Sequence, residues 1–304
     1  MDRTLTMPVP YVPITAPDDY RCFILDWPET AVRYATGFNV TPANPRIVHH
    51  VAAYLIPPDT LMGEEVFDAL ARWDAADKAP GYTCFGGPSG PEELQIPVQQ
   101  LAQWVPVSGG TEFPDGTGIE VKPGSKVVLQ LDYNLDFAGA ESDQTSFALK
   151  LDSSVERRAA FAPYLNGAWP LGEIEIQAGQ TRTFTTSGDP RGFFGLVIGG
   201  QLDLDARFDI HSALLHQHGL GASSSIEWIR GDGAVLHLLD IPDYNFHWQM
   251  TYAFEDPLRF LDGDQLRVMC SFDNSAPGAV DVNWGEGTGD EMWVANLYIS
   301  EVGP

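Results

Sequence analysis

The residues equipped for chemistry are two histidine clusters and one methionine, far apart along the chain. They are His49-His50 in RIVHHVAAYL, His216-Gln217-His218 in HSALLHQHGLG and Met292 in GTGDEMWVANLYI. Imidazole serves copper in both oxidation states, and a thioether adds a softness that favours Cu(I) over harder ions. Two histidines and a methionine around one ion therefore describe a copper redox site rather than a zinc or magnesium one. His216 and His218 share strand parity, so a strand projects both imidazoles from one face. They precede Gly219-Leu220-Gly221, where a chain can leave its sheet and open coordination positions are easy to provide. His49 and His50 are neighbours, and neighbours on a regular strand point to opposite faces. Both reach one ion only if the strand twists or bulges there; otherwise one is buried and the other exposed. Met292 by itself reads as core packing.

The elements that must position these residues are strands. Over Ser125–Phe137, Val127, Leu129, Leu131, Tyr133 and Phe137 alternate with Gln130, Asp132, Asn134 and Asp136, the pattern of a half-buried strand with a polar face. Similar patterns predict strands over Arg21–Asp26, Ile47–Leu55, Phe193–Ile198, Asp209–His218, Phe246–Phe254, Gln265–Phe272 and Met292–Ile299, among others. Asp-Gly and Pro-Gly turn pairs separate them. Only Asp59–Lys78 has helix spacing, through Val66, Phe67, Leu70 and Trp73. Many short strands with little helix predict an all-β fold of antiparallel β-sandwiches. The 304 residues exceed most single cores, and a break at KLDSSVERR divides them into domains 1–154 and 155–304.

A formal net charge of −25 argues against partners that need clustered Lys/Arg, namely nucleic acid and anionic membrane. No apolar run is long enough for a membrane span, and no signal core precedes the first domain, so the compartment is not legible. There is no Gly-x-Ser-x-Gly elbow, Walker loop or dinucleotide-binding glycine motif, which removes hydrolase, NTPase and dinucleotide readings. His211 has the opposite parity to His216 and is expected to be structural, as are His237 and His247, although His247 could line a pocket.

In order, DYRCFI, VHHVAAYL, YTCFGG, AQWVPVSGG, GIEVKPGSKVVLQLDYN, LLHQHGLG, DQLRVMCSFDN and GDEMWVANLYI resemble the copper type II, ascorbate-dependent monooxygenases, the group of peptidylglycine α-hydroxylating monooxygenase and dopamine β-monooxygenase. That resemblance implies two jelly-roll-like β-sandwich domains side by side with a cleft between them. It implies a monooxygenase that hydroxylates a C–H bond of a small organic substrate with O2, one or two copper ions, and ascorbate or another one-electron donor. It makes His216, His218 and Met292 the ligands of the oxygen-activating copper. His49 and His50 match two ligands of the electron-transfer copper. The third, a histidine in a Gln-x-His-Tyr strand of the family, is Asp132 here, a harder and anionic donor that favours Cu(II). The alternative is therefore a homologue that has lost the electron-transfer copper, either non-catalytic or with a single copper. Leu214 stands where peptide-amidating members carry an arginine for a terminal carboxylate. The substrate-contacting tyrosine after the DEM motif falls on Asn296 or on Tyr298, depending on the gap. Cys22 and Cys84 match a family disulfide, a pairing that weakly favours an extracytoplasmic home. Cys270 lacks its partner, whose position is Trp293, and is expected to be a buried free thiol.

Overall fold

A buried polar strand organises the first half of the protein. In the computed structural model, which describes residues 1–59, 64–84, 86–90, 99–106, 109–136, 138–198, 201–204, 207–285, 287 and 289–302, Lys126–Asn134 forms the middle of a sheet. The first half runs β1 (Arg3–Thr6), β2 (Asp18–Asp26), β3 (Arg33–Thr41), β4 (Val48–Ile56), α1 (Glu64–Ala76), β5 (Tyr82–Thr83) and β6 (Gln99–Trp104). It continues with β7 (Thr111–Glu112), β8 (Thr117–Val121), β9 (Lys126–Asn134), β10 (Ser146–Asp152) and β11 (Arg157–Tyr164). The second half has β12 (Glu175–Ile176), β13 (Thr181–Gly188), α2 (Arg191–Val197), β14 (Phe208–Gln217), β15 (Gly221–Ile229) and β16 (Val235–Ile241). It ends with β17 (Tyr252–Phe260), β18 (Gln265–Asp273), β19 (Val282–Asn283) and β20 (Trp293–Glu301). The all-β reading is borne out. The chain divides into unit 1, built on Met1–Ala160, and unit 2, built on Phe161–Leu196 and Leu202–Val302.

In unit 1, β9 lies between β2 and β4, with β5 beyond β2 and β6 beyond β4. A second sheet runs β1, β10, β3, β8. Tyr133, on the apolar face of β9, reaches across from the first sheet to the segment before β10, where its hydroxyl donates to Asp143 at 3.1 Å. The other face of β9 is not the solvent face that alternation predicts. Helix α1 covers part of it, packing Val66, Leu70 and Trp73 against Val128, Ile56 and the Cys22–Cys84 disulfide. Asp132, farther along the same face, is only 4% exposed. A strand paired on both edges and covered on both faces can hide a polar residue only if neighbouring groups compensate it.

Arg21 shows such compensation. Its guanidinium is fully buried, donating to the carbonyls of Ala79, Pro80 and Gly81 and to Asp77 at 2.8 Å. The Arg21 hydrogen bond holds the Asp77 carboxyl down at about 2. The folded value lies below the unfolded one, so this stabilisation is complete above the ordinary carboxylate range and is lost as pH falls towards 2. Asp77→Asn is expected to cost about 3 kcal/mol by leaving a buried cation without its counter-charge. Urea unfolding at pH 7 reads that loss, and the difference from wild type should shrink at pH 2.5.

In unit 2, β14 is flanked by β17 and β20, and β13, β18, β15 and β16 form a second sheet. Ala213, Leu215 and Gln217 of β14, with Leu297, Ala295 and Trp293 opposite them on β20, face that second sheet. Trp293 Nε1 donates to Ser224 Oγ at 2.7 Å, and Gln217 Nε2 donates to the Ser271 carbonyl at 3.1 Å. Leu214, His216, Asn296 and Tyr298 occupy the opposite face. A bulge between Ile210 and Ser212 overturns the parity expected of His211 and puts its ring on that face too, 5.9 Å from that of Tyr298.

Two expected strands are otherwise. Phe193–Ile198 lies largely in α2, which starts after Asp189-Pro190, and Asp189 Oδ1 accepts from the Arg191 N–H. Phe194 is the buried residue of that helix. Of Phe246–Phe254, only the part from Tyr252 is strand. Asn245 starts a turn instead, its side chain accepting from the His247 N–H and its carbonyl from the Trp248 N–H. The alternation of Phe246, Trp248 and Met250 reflects a turn that exposes Trp248 and Met250, not a pleat. Cys270 is a buried free thiol, as expected.

Candidate metal centres

In unit 2 the ladder between β14 and β20 settles which residues share a face. Its register pairs Ser212 with Tyr298, Leu214 with Asn296, His216 with Val294 and Gln217 with Trp293. Directly opposite residues of an antiparallel pair point the same way. Leu214 and His216 therefore share a face with Asn296 and Tyr298, away from the second sheet. His218 and Met292 are the next residue on each strand, so both lie at the same end of the ladder. The His216 and His218 ring centroids are 5.1 Å apart, and Met292 is 7% exposed. Both positions weighed for the tyrosine contact are on this face and buried. Tyr298 also packs edge-on against Phe161 at 5.1 Å.

The two rings are oriented from behind. His216 Nδ1 lies 2.5 Å from Gln249 Oε1, and Gln249 is fixed in turn by donating Nε2 to the Phe246 carbonyl at 2.8 Å. His218 Nδ1 lies 3.1 Å from the Asp290 carbonyl. Both oxygens only accept, so each Nδ1 carries the proton, and the lone pair of the neutral ring belongs to Nε2. Such bonds fix tautomer and ring direction before a metal arrives. Gln249→Ala is expected to weaken copper binding by about 10–100-fold with little change in melting temperature. Equilibrium dialysis against a copper chelator reads it.

The backbone carrying these ligands is clamped as well. Buried Glu291 accepts from the N–H groups of His218 (3.0 Å) and Leu220, and also from Met292. Burial pushes Glu291 up to about 7, while these N–H groups favour its charged form. On the other side, the Tyr244 hydroxyl accepts from Gln217 N at 2.8 Å and donates to Gln217 O at 2.9 Å. Tyr244 comes so close that a Cβ at Gly221 would sit 2.7 Å from its ring, which explains the glycine there. Sequence reasoning missed all three helpers. Glu291 was visible inside the DEM motif, whereas Gln249 and Tyr244 give no local signal. Beside the site, a cavity of about 630 Å³ is lined by Tyr244, Phe246, His247, Trp248 and Tyr252. Phe246 touches His218 edge-on at 5.9 Å.

The remaining histidines separate as follows. His211 is buried and bonds Ser300 Oγ at 2.8 Å, a structural role. His237 is exposed beside Glu227, and His247 is exposed on the cavity wall.

In unit 1 the doubtful pair converges. The β4–β9 register slips between Val48 and His50, a bulge that places His49 and His50 on the same side of the strand. His49 Nδ1 and His50 Nδ1 lie 3.2 and 3.1 Å from one oxygen, Asp132 Oδ2. The two rings are 4.2 Å apart and both are partly exposed. Ligand atoms of all three residues lie within 4.8 Å of one another. Burial acts to raise Asp132, but the hydrogen bonds from His49 and His50 outweigh it and hold the carboxyl below its ordinary value. Its other oxygen, Oδ1, is buried and has no hydrogen-bond partner.

The donors of the two centres suit different ions. Two pre-oriented imidazoles with a thioether at the same end of the ladder fit copper in both oxidation states. Two imidazoles on a buried carboxylate do not fit a copper that must return readily to Cu(I), because an anionic oxygen stabilises the dication more than the monocation.

Residues 202–300 match the family model of the copper type II ascorbate-dependent monooxygenase, C-terminal domain, and over that segment the resemblance read from the sequence is borne out. No curated protein matches the chain. Among solved structures, that of infectious bursal disease virus Gt strain aligns over 98% of this chain and 71% of its own, at 10% identity and a TM-score of 0.21. An allantoicase aligns over 83% and 73%, at 11% and 0.22. Allantoicase from Saccharomyces cerevisiae aligns over 92% and 77%, at 8% and 0.21. Scores this low carry no argument. No helix among the described residues is long and apolar enough to cross a membrane.

Proposed function

We propose that this chain, whose residues 202–300 match the copper type II ascorbate-dependent monooxygenase C-terminal domain, is itself a copper-dependent monooxygenase acting on a C–H bond of a small organic substrate. The observation that carries the reading is the pair of Nδ1-anchored rings, His216 and His218, at the end of the ladder where Met292 sits. His216 Nε2, His218 Nε2 and the Met292 thioether would hold the ion. Copper bound there supplies the one-electron chemistry by which O2 is activated for hydroxylation. In the balanced reaction, O2 gives one atom to the C–H bond and the other to water, consuming two protons and two electrons from ascorbate or another one-electron donor.

The chain's own residues supply orientation. Gln249 and the Asp290 carbonyl hold the rings, and Glu291 ties the backbone of His218 to that of Met292. The substrate would rest on the face shared by Leu214, Asn296 and Tyr298. With leucine at position 214, this face offers no cation there to anchor a terminal carboxylate, so a neutral small molecule suits it better than a peptide end. The Asp132 cluster favours a variant of this reading in which the electron-transfer copper has been lost and electrons reach unit 2 from outside.

Copper-loaded protein given ascorbate, O2 and a panel of small apolar substrates should yield hydroxylated product. Absence of copper from unit 2, or oxygen consumption with no product from any substrate, would overturn the proposal.

A further inference from the structure

The His49–His50–Asp132 cluster is built like a metal site but has the wrong donors for an electron relay. Three features carry this. The β4 bulge spends a regular ladder pair to bring two consecutive imidazoles to one side. Asp132 sits 4% exposed on a central strand, with Oδ2 shared between both rings and Oδ1 without a partner. A buried carboxylate with one oxygen that no donor satisfies is costly, and a cation held by the carboxyl group through Oδ2 offsets the buried charge. The rings keep 23% and 22% of their side-chain surface, which leaves an entry route from solvent.

Charge and geometry then choose the ion. A carboxylate gains about twice as much Coulomb energy from a dication as from a monocation at the same distance, so it pulls any redox couple at this site towards its +2 form. Zinc has no redox chemistry and takes two imidazole nitrogens and one carboxylate oxygen, with a water in the fourth position. Bonds of about 2.0–2.1 Å in tetrahedral array separate donor atoms by roughly 3.3 Å. The Nδ1–Oδ2 separations of 3.2 and 3.1 Å need to open by only a few tenths of an ångström.

We propose that unit 1 holds a redox-silent divalent ion, Zn2+, on His49, His50 and Asp132, where it joins β4 to β9 rather than relaying electrons. The proposal does not depend on hydroxylation by unit 2, and its test uses neither O2 nor substrate.

The experiment uses the full chain with His216→Ala and Met292→Leu, so that unit 2 no longer competes for metal. Calorimetric titration with zinc chloride should show one ion per chain and a raised melting temperature. Binding should weaken by more than about 100-fold in Asp132→Ala, with Asp132→Asn as the isosteric check should the alanine variant fold poorly. Cu(II) loaded in place of zinc should keep its paramagnetic resonance signal in anaerobic ascorbate, and Asp132→His should make that copper reducible. Zinc binding that is absent, or equal in wild type and both Asp132 variants, would overturn the proposal. So would prompt loss of the Cu(II) signal with Asp132 in place.

Discussion

With His216 replaced by alanine, unit 2 is expected to lose its copper while keeping its fold. One of three donors disappears, and the two that remain, an imidazole and a thioether, do not hold copper against a modest chelator. Removing a group that merely orients a ligand costs about 10–100-fold in affinity, so removing the ligand itself costs more. Product formation should fall to the background of copper-free protein. Stability should fall only modestly, by about 1–3 kcal/mol, because His216 is half-buried and its loss leaves the buried Gln249 side-chain carbonyl without that donor. Copper stoichiometry after dialysis and a melting curve together read this. A variant that keeps full copper and turnover would remove His216 from the site.

Glu291→Ala is the second large effect, and it differs in kind. The carboxylate accepts from three backbone N–H groups, those of His218, Leu220 and Met292. Truncation leaves these groups without their acceptor in a buried region. At about 1–3 kcal/mol for each such loss, the total is on the order of 4 kcal/mol, a large share of a domain's stability. Copper affinity should fall in parallel, because the backbone of the third ligand is no longer tied to that of the second. Glu291→Gln keeps one carbonyl acceptor but presents an amide donor to the other N–H groups, and it should fall between alanine and wild type in both readouts. Equal stability of all three proteins in urea would contradict the clamp.

Much of this was legible in the sequence, and the misses have physical causes. The 216/218 parity gave the shared face of the two imidazoles, because side-chain direction alternates strictly along a strand. That Met292 lies at the same end of the ladder is a matter of strand register, which is long-range and shows in the sequence only through the family motif. The His49-His50 pair was undecided because a bulge shifts parity by one residue, and nothing local in VHHVAAYL marks it. Asp132 was expected on a polar face. Alternation reports residue type, whereas burial depends on what packs on that face, helix α1 at Val128 and the His49 and His50 rings at Asp132. Gln249 escaped because Phe246, Trp248 and Met250 imitate a pleat, whereas Asn245 bends the chain and delivers a glutamine to His216.

The proposed centre of unit 2 requires copper to be held jointly by His216, His218 and Met292. X-ray absorption at the copper edge of Cu(I)-loaded protein, carrying His49→Ala and His50→Ala to silence unit 1, tests this most directly. One sulfur scatterer is expected beside nitrogen neighbours at bonding distance from the copper, with the sulfur absent in Met292→Leu. Copper without sulfur at that distance, or a sulfur signal that survives Met292→Leu, would contradict the proposed centre.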